Sequence, residues 1–202
     1  MIAYSFRSDR GQAFPIYIVV VGGLLFLALA YFAVGQAAVS RNNAQGAADA
    51  AALAAAHDAQ GQVGVQISRN IDDLGALSEI LTSMNISAPG ACDEAARFAA
   101  RNRSDVERCT RQSGGVARFT VDVRTQESVG ASVVPGTDGT HSVASATAAV
   151  DFLCALSDSV DEDESEGVPI EFRCRDGLVV IDPSDINVRK KINQLFEVRL
   201  VG

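Results

Sequence analysis

AFPIYIVVVGGLLFLALAYFAVG, Ala13 to Gly35, holds no charged residue, and the uncharged run around it reaches from Gly11 to Ser40. About 20 apolar residues in a helix cross a hydrocarbon layer about 30 Å thick, and Pro15 to Val34 has that length. Pro15 falls in the first helical turn, where its missing N–H leaves no hydrogen bond unmade. Tyr17 and Tyr31 stand toward the two ends, where interfacial aromatics belong. A secretory signal shares the basic start, here Arg7 and Arg10, and the small residues from Ala33 to Ala38 suit a signal peptidase. Its apolar core, however, is only about 7–15 residues long. The length therefore predicts a retained single span over 13–35, preceded by a short leader over 1–12.

Charge orients that span. The leader carries Arg7 and Arg10 against Asp9, whereas Arg41 stands alone on the far side before a long domain. The positive-inside rule then puts the N-terminus in the cytoplasm and the bulk of the chain outside. All four cysteines lie beyond the span, in keeping with an oxidising compartment. A net charge of −8 and a pI near 4.7 make nucleic acid an unsuitable partner. Arginine supplies all the basic residues but Lys190 and Lys191, which together with the alanine runs suggests a GC-rich bacterial genome.

Beyond the span the helical signal continues. Gln36 to Gln60 is dominated by alanine, the best helix former, with Gly46 and Asn42–Asn43 weakening it. A helical stalk is expected over 36–85, its second part carrying the apolar stripe Ile67, Ile71, Leu74, Leu77, Ile80, Leu81 and Met84, with Ser68 as a cap. Small residues at Ala33, Ala37, Ala44, Ala48, Ala51 and Ala55 share roughly one helical face, which permits close approach of a second helix. The alternative is a solvated spacer that touches nothing.

From residue 86 onward the pattern is that of a separate domain, 86–202. Ala91 to Arg103 reads as a short helix, and a turn near Asn102 to Asp105 leads on to Cys109. Phe119, Val121 and Val123 then alternate with Thr120, Asp122 and Arg124, the period of a half-buried strand. Ser142 to Leu153 is a second strand, Pro169–Cys174 and Leu178–Ile181 a hairpin around Arg175-Asp176-Gly177, and Leu195–Val201 a returning or edge strand. Ser184 or Asp185 caps a last short helix between them. Helices followed by sequential strands predict an α+β fold with an antiparallel sheet.

Four cysteines allow three pairings. Spacing favours Cys92 with Cys109 and Cys154 with Cys174, since each couple brackets a turn or loop; C-x₂₋₄-C metal spacing is absent. In the acidic run SDSVDEDESEG, Asp161, Asp163 and Ser165 imitate the opening of a calcium loop. Glu166 occupies the position that needs glycine and Phe172 the one that needs a bidentate glutamate, so the run reads as a solvated loop. His57 lies in the alanine helix and His141 beside a glycine turn, and no nucleophile elbow, zinc-protease or phosphate-loop motif occurs. No catalytic, cofactor or metal residue is assigned, and neither an enzymatic activity nor a small-molecule substrate is expected.

The segment RGQAFPIYIVVVGGLLFLALAYFAVGQAAVSRNNAQGAADAAALAAA, Arg10 to Ala56, resembles the N-terminal module of TadE/TadG-like proteins of the tight-adherence (Flp-type) pilus assembly system, most tellingly in AQGAADAAALAAA, Ala44 to Ala56. The resemblance covers about a quarter of the chain. It implies a pseudopilin-like minor component in the bacterial cytoplasmic membrane, with other pilin-like or pilus-assembly subunits as partners through the N-terminal helix. Gly11 followed by Gln12 corresponds to a prepilin-peptidase junction, but Ile16 stands at the fifth position, where processed pilins carry glutamate. The von Willebrand metal motif of larger TadG-like members is absent. The competing class is an anchored or secreted extracellular binding or adhesion module with the stalk as a spacer.

Overall fold

A single helix, α1 (Ala13–Arg69), runs from the apolar segment through the alanine-rich segment without a break. The computed structural model describes residues 13–83, 88–112, 117–128, 139–157 and 169–202, so the Gly11–Gln12 junction and the acidic run 158–168 lie outside the described residues. At 1.5 Å per residue the 57 residues of α1 span about 86 Å. It stops where Asn70 closes on the last carbonyls: Asn70 Nδ2 donates to Gln66 O at 2.8 Å. α2 (Leu74–Ser83) starts afresh, capped by Asp73, whose Oδ1 accepts from the Ala76 N–H at 2.9 Å. The expected cap, Ser68, instead sits inside α1 and donates to the Val65 carbonyl.

Two halves of α1 have opposite fates. From Phe14 to Val39 every large apolar side chain except Val21 is exposed. From Ala44 to Ile67 the helix is core: Ala44, Ala48, Ala51, Ala52, Ala55, Ala56, Ala59 and Ile67 are all 0% exposed. The reason is that α1 is approached from more than one side. It packs against three strands, β2 (Ala117–Ser128), β3 (His141–Phe152) and β7 (Phe196–Val201), and against α3 (Ala91–Arg101) and α4 (Val188–Asn193). Methyl-sized side chains along Ala44–Ala59 let a sheet and two helices close on one helix together. The expected stalk over 36–85 therefore meets a different packing. Much of it, from Ala44 to Ile67, packs as the central helix against the described strands and helices that follow.

The main sheet is four-stranded and antiparallel, in the order β1-β2-β3-β7, with β1 at Ser104–Gln112. Phe119, Val121 and Val123 point into the core together with Ala146, Ala148 and Val150. The other face is polar: Thr120 and Thr147, opposite each other, share a 2.8 Å hydrogen bond, and Arg199 Nε donates to Asp151 Oδ2 at 2.8 Å. The turn expected near Asn102 to Asp105 is confined to Asn102–Arg103, and the stretch leading on to Cys109 is strand, β1. Its apolar period is broken at Glu107, where Val106 pairs with Val123 and Arg108 with Asp122, a bulge that puts one extra residue in the strand.

At Leu153 the chain leaves this sheet for a second, three-stranded one, β4-β5-β6 (Cys154–Leu156, Ile170–Cys174, Gly177–Ile181). The β5–β6 hairpin turns at Arg175–Asp176, and Gly177 has φ +135°, which only glycine adopts easily. Phe172 and Ile181 fill its inner face. α4 follows with Asn187 rather than Ser184 or Asp185 at its N-cap, and no side chain closes the cap. β7 then returns beside β3, with the Phe196 ring tilted against that of Phe152, centroids 5.2 Å apart.

Candidate functional site

Fifteen large apolar side chains left outside the core on one helix make the exposed half of α1 the first candidate. Exposures there run from 52% at Ile18 to 86% at Tyr31, a continuous apolar surface that water does not tolerate at this size. This is the single helix among the described residues long and apolar enough to cross a membrane, and none of its apolar window is buried by the rest of the chain. A single membrane span is the environment that fits it.

Where that half ends, the domain begins at once. Ser40 Oγ lies 2.8 Å from Ser142 Oγ, one residue before Arg41, the first charge after the span. A short polar chain holds the contact: the Ser142 N–H donates to Thr125 Oγ1 at 3.0 Å, and Thr125 Oγ1 donates to the Glu127 carbonyl at 2.8 Å. His141 Nδ1 sits 2.7 Å from the Thr125 carbonyl, so this histidine is tied to the strand ends. His57 is exposed, 3.2 Å from Gln60 Oε1. Among the described residues no three His, Cys, Asp or Glu side chains converge on a metal position.

Beside the junction lies a cleft of about 840 Å³ between α1, at Phe32, Gly35 and Val39, and the α3–β1 turn at Arg101 to Arg103. Arg103 has φ 53°, the left-handed region a non-glycine residue seldom occupies. Two backbone bonds hold it there: its N–H donates to Ala100 O at 3.0 Å, and its carbonyl accepts from Gln126 N–H at 2.8 Å. Reading the sequence did not single out these arginines, because the cleft is assembled from three segments far apart in the chain.

The proposed helix-packing residues divide. Ala33 is half-buried and Ala37 exposed, both on the projecting half. Ala44, Ala48, Ala51 and Ala55 face the chain's own core and are closed to a second helix, because sheet, α3 and α4 already occupy their surroundings. The cysteines are joined locally, Cys92 to Cys109 and Cys154 to Cys174, with no free thiol. One bridge ties α3 to β1; the other links directly opposed residues of β4 and β5. At the far end, Asp185 is held below the usual aspartate range by the Asn187 backbone N–H and then by Lys191, whose Nζ is 2.9 Å away.

No curated protein and no solved structure matches the chain. Its apolar helix and the alanine segment that enters the core, residues 11–59, match the family model of Flp pilus-assembly TadE/G-like proteins, and in this N-terminal module the chain is similar to that family.

Proposed function

We propose that this chain is a single-pass, pseudopilin-like component of a Tad (Flp-type) pilus assembly system that works by contact and not by catalysis. One observation carries the reading: a helix matching the Tad family model leaves its first half unburied and builds its second half into the domain. With Pro15 to Val34 in the hydrocarbon, the basic leader lies on the cytoplasmic side of the bacterial inner membrane. The disulfide-bonded domain then stands outside.

Contacts with other pilin-like subunits go through the projecting half. Ala33, Ala37 and the open glycines Gly22, Gly23 and Gly35 let a neighbouring helix come close there, since a Cβ at any of those glycines would meet nothing within 4 Å. The Ser40–Ser142 contact, between the end of the projecting half and β3, supports this reading over one with the stalk as a spacer.

Photo-crosslinking in cells tests the proposal, with the reactive residue placed at Ala33, Ala37 or Ala48. Discrete adducts with pilus subunits from positions 33 and 37, and none from the buried position 48, are expected. Adducts absent from both exposed positions in a piliated cell would overturn the assembly role.

A further inference from the structure

We propose that the cleft between α1 and the α3–β1 turn binds the phosphate of an anionic phospholipid headgroup and so fixes the domain on the membrane surface. The inference rests on the reading of Pro15–Val34 as the span. If those residues fill the hydrocarbon, about the next three to five cross the headgroup layer, which is about 5–7 Å deep on each side. Gly35 and Val39, which line the cleft, then lie at headgroup depth, and Phe32 lies at the edge of the hydrocarbon. The α1 wall thus changes from apolar to polar along the membrane normal, from Phe32 through Gln36 to Ser40. An amphipathic ligand aligned with the neighbouring lipids fits that gradient.

Two arginines line the cleft opposite this wall. Arg101 and Arg103 are both exposed, and Arg101 lies 4.9 Å over the Phe98 ring, a contact that leaves its N–H donors free to bind. Glu127 is the acid on the cleft. Its 3.7 Å approach to Arg103, with both side chains about three-quarters exposed, is a weak pair that a phosphate can displace. The cleft lining therefore keeps a positive balance in a chain of net charge −8, at the end of the domain next to the membrane surface.

The backbone supplies a separate argument. A two-residue turn with a left-handed second position ordinarily takes glycine or asparagine, yet arginine is held there by the Ala100 and Gln126 bonds. That backbone holds a charged side chain at the mouth of the cleft.

Native mass spectrometry of the full chain released from mixed micelles tests this, with phosphatidylglycerol, phosphatidylcholine and inorganic phosphate as probes. Each arginine near a membrane surface is worth about fivefold, so phosphatidylglycerol is retained about 25-fold more tightly than phosphatidylcholine. The Arg101→Gln/Arg103→Gln variant removes that preference. Arg103→Gly alone lowers it about fivefold while unfolding at the same or a higher temperature, which separates lost binding from lost folding. Equal retention of the two lipids, or an unchanged preference in the double variant, overturns the site. Inorganic phosphate that binds as tightly as the lipid also overturns the lipid assignment. Flotation with pure phosphatidylcholine vesicles checks the span by itself: the wild type and the double variant both float, and failure of both overturns the span and this inference together.

Discussion

Enlarging Ala48 to leucine tests directly whether the alanine segment is core or stalk. Ala48 is 0% exposed inside the main cluster, so Ala48→Leu forces three more carbons into occupied space. Overpacking of that kind costs about 1–3 kcal/mol. For a domain of this size each kcal/mol moves the melting temperature by about 2–4 °C, so a fall of about 2–12 °C is expected. Ala48→Gly destabilises as well, by about 2 kcal/mol, through lost helix propensity and a lost buried methyl. A site that tolerates neither a larger nor a smaller side chain is close-packed. Ala37, exposed on the projecting half, behaves differently: Ala37→Leu changes stability by less than about 0.5 kcal/mol. Thermal unfolding of the three variants and the wild type in detergent, followed by circular dichroism, measures the contrast. Should Ala48→Leu melt with Ala37→Leu at the wild-type temperature, the second half of α1 is not the domain's interior.

Opening either disulfide, by Cys92→Ser/Cys109→Ser or Cys154→Ser/Cys174→Ser, frees loops of sequence separation 17 and 20. Loop entropy then predicts a loss of about 3 kcal/mol for each, read as matching drops in the denaturant midpoint. Gly177→Ala forces a side chain into φ +135° and costs about 1–3 kcal/mol, whereas Gly61→Ala, exposed on α1 with open space around it, gains up to about 1 kcal/mol. Asp185 gives a pH signature. Its folded pKa lies below its unfolded value, so its contribution is complete above about pH 4 and disappears as the pH falls through the folded pKa. Backbone amide shifts of Asn187 and Val188 should therefore hold steady from neutrality to about pH 4 and move below it; movement at pH 6 would contradict this.

How legible the fold was depended on whether each element kept its period. β2 shows plainly because Phe119, Val121 and Val123 alternate without interruption against polar neighbours. β1 hides because the bulge at Glu107 shifts the alternation by one residue within a polar strand. The second sheet was partly visible, as the Gly177 hairpin, but its three-residue first strand is too short to register as a pattern. The alanine segment was the hardest to place. Alanine reads as helix wherever it is put, and its hydropathy does not tell a solvated spacer from the middle of a core; the distinction came only from what packs around it. The local cysteine pairing could be read from spacing, because each couple joins neighbouring elements. The cleft at the membrane junction could not, since Phe32, Arg103 and Glu127 meet only once the sheet has closed on the helix.

The unbroken course of α1 has a mechanical consequence. No loop separates the part held by lipid from the part that holds the strands together, so a pull on the domain travels straight down one hydrogen-bonded rod. Extraction force would load the helix along its axis and shear it against β2 and β3, with no tether to stretch first. A chain built this way moves as a stiff unit, its orientation about the rod preserved from the apolar end of the helix to the outermost strand.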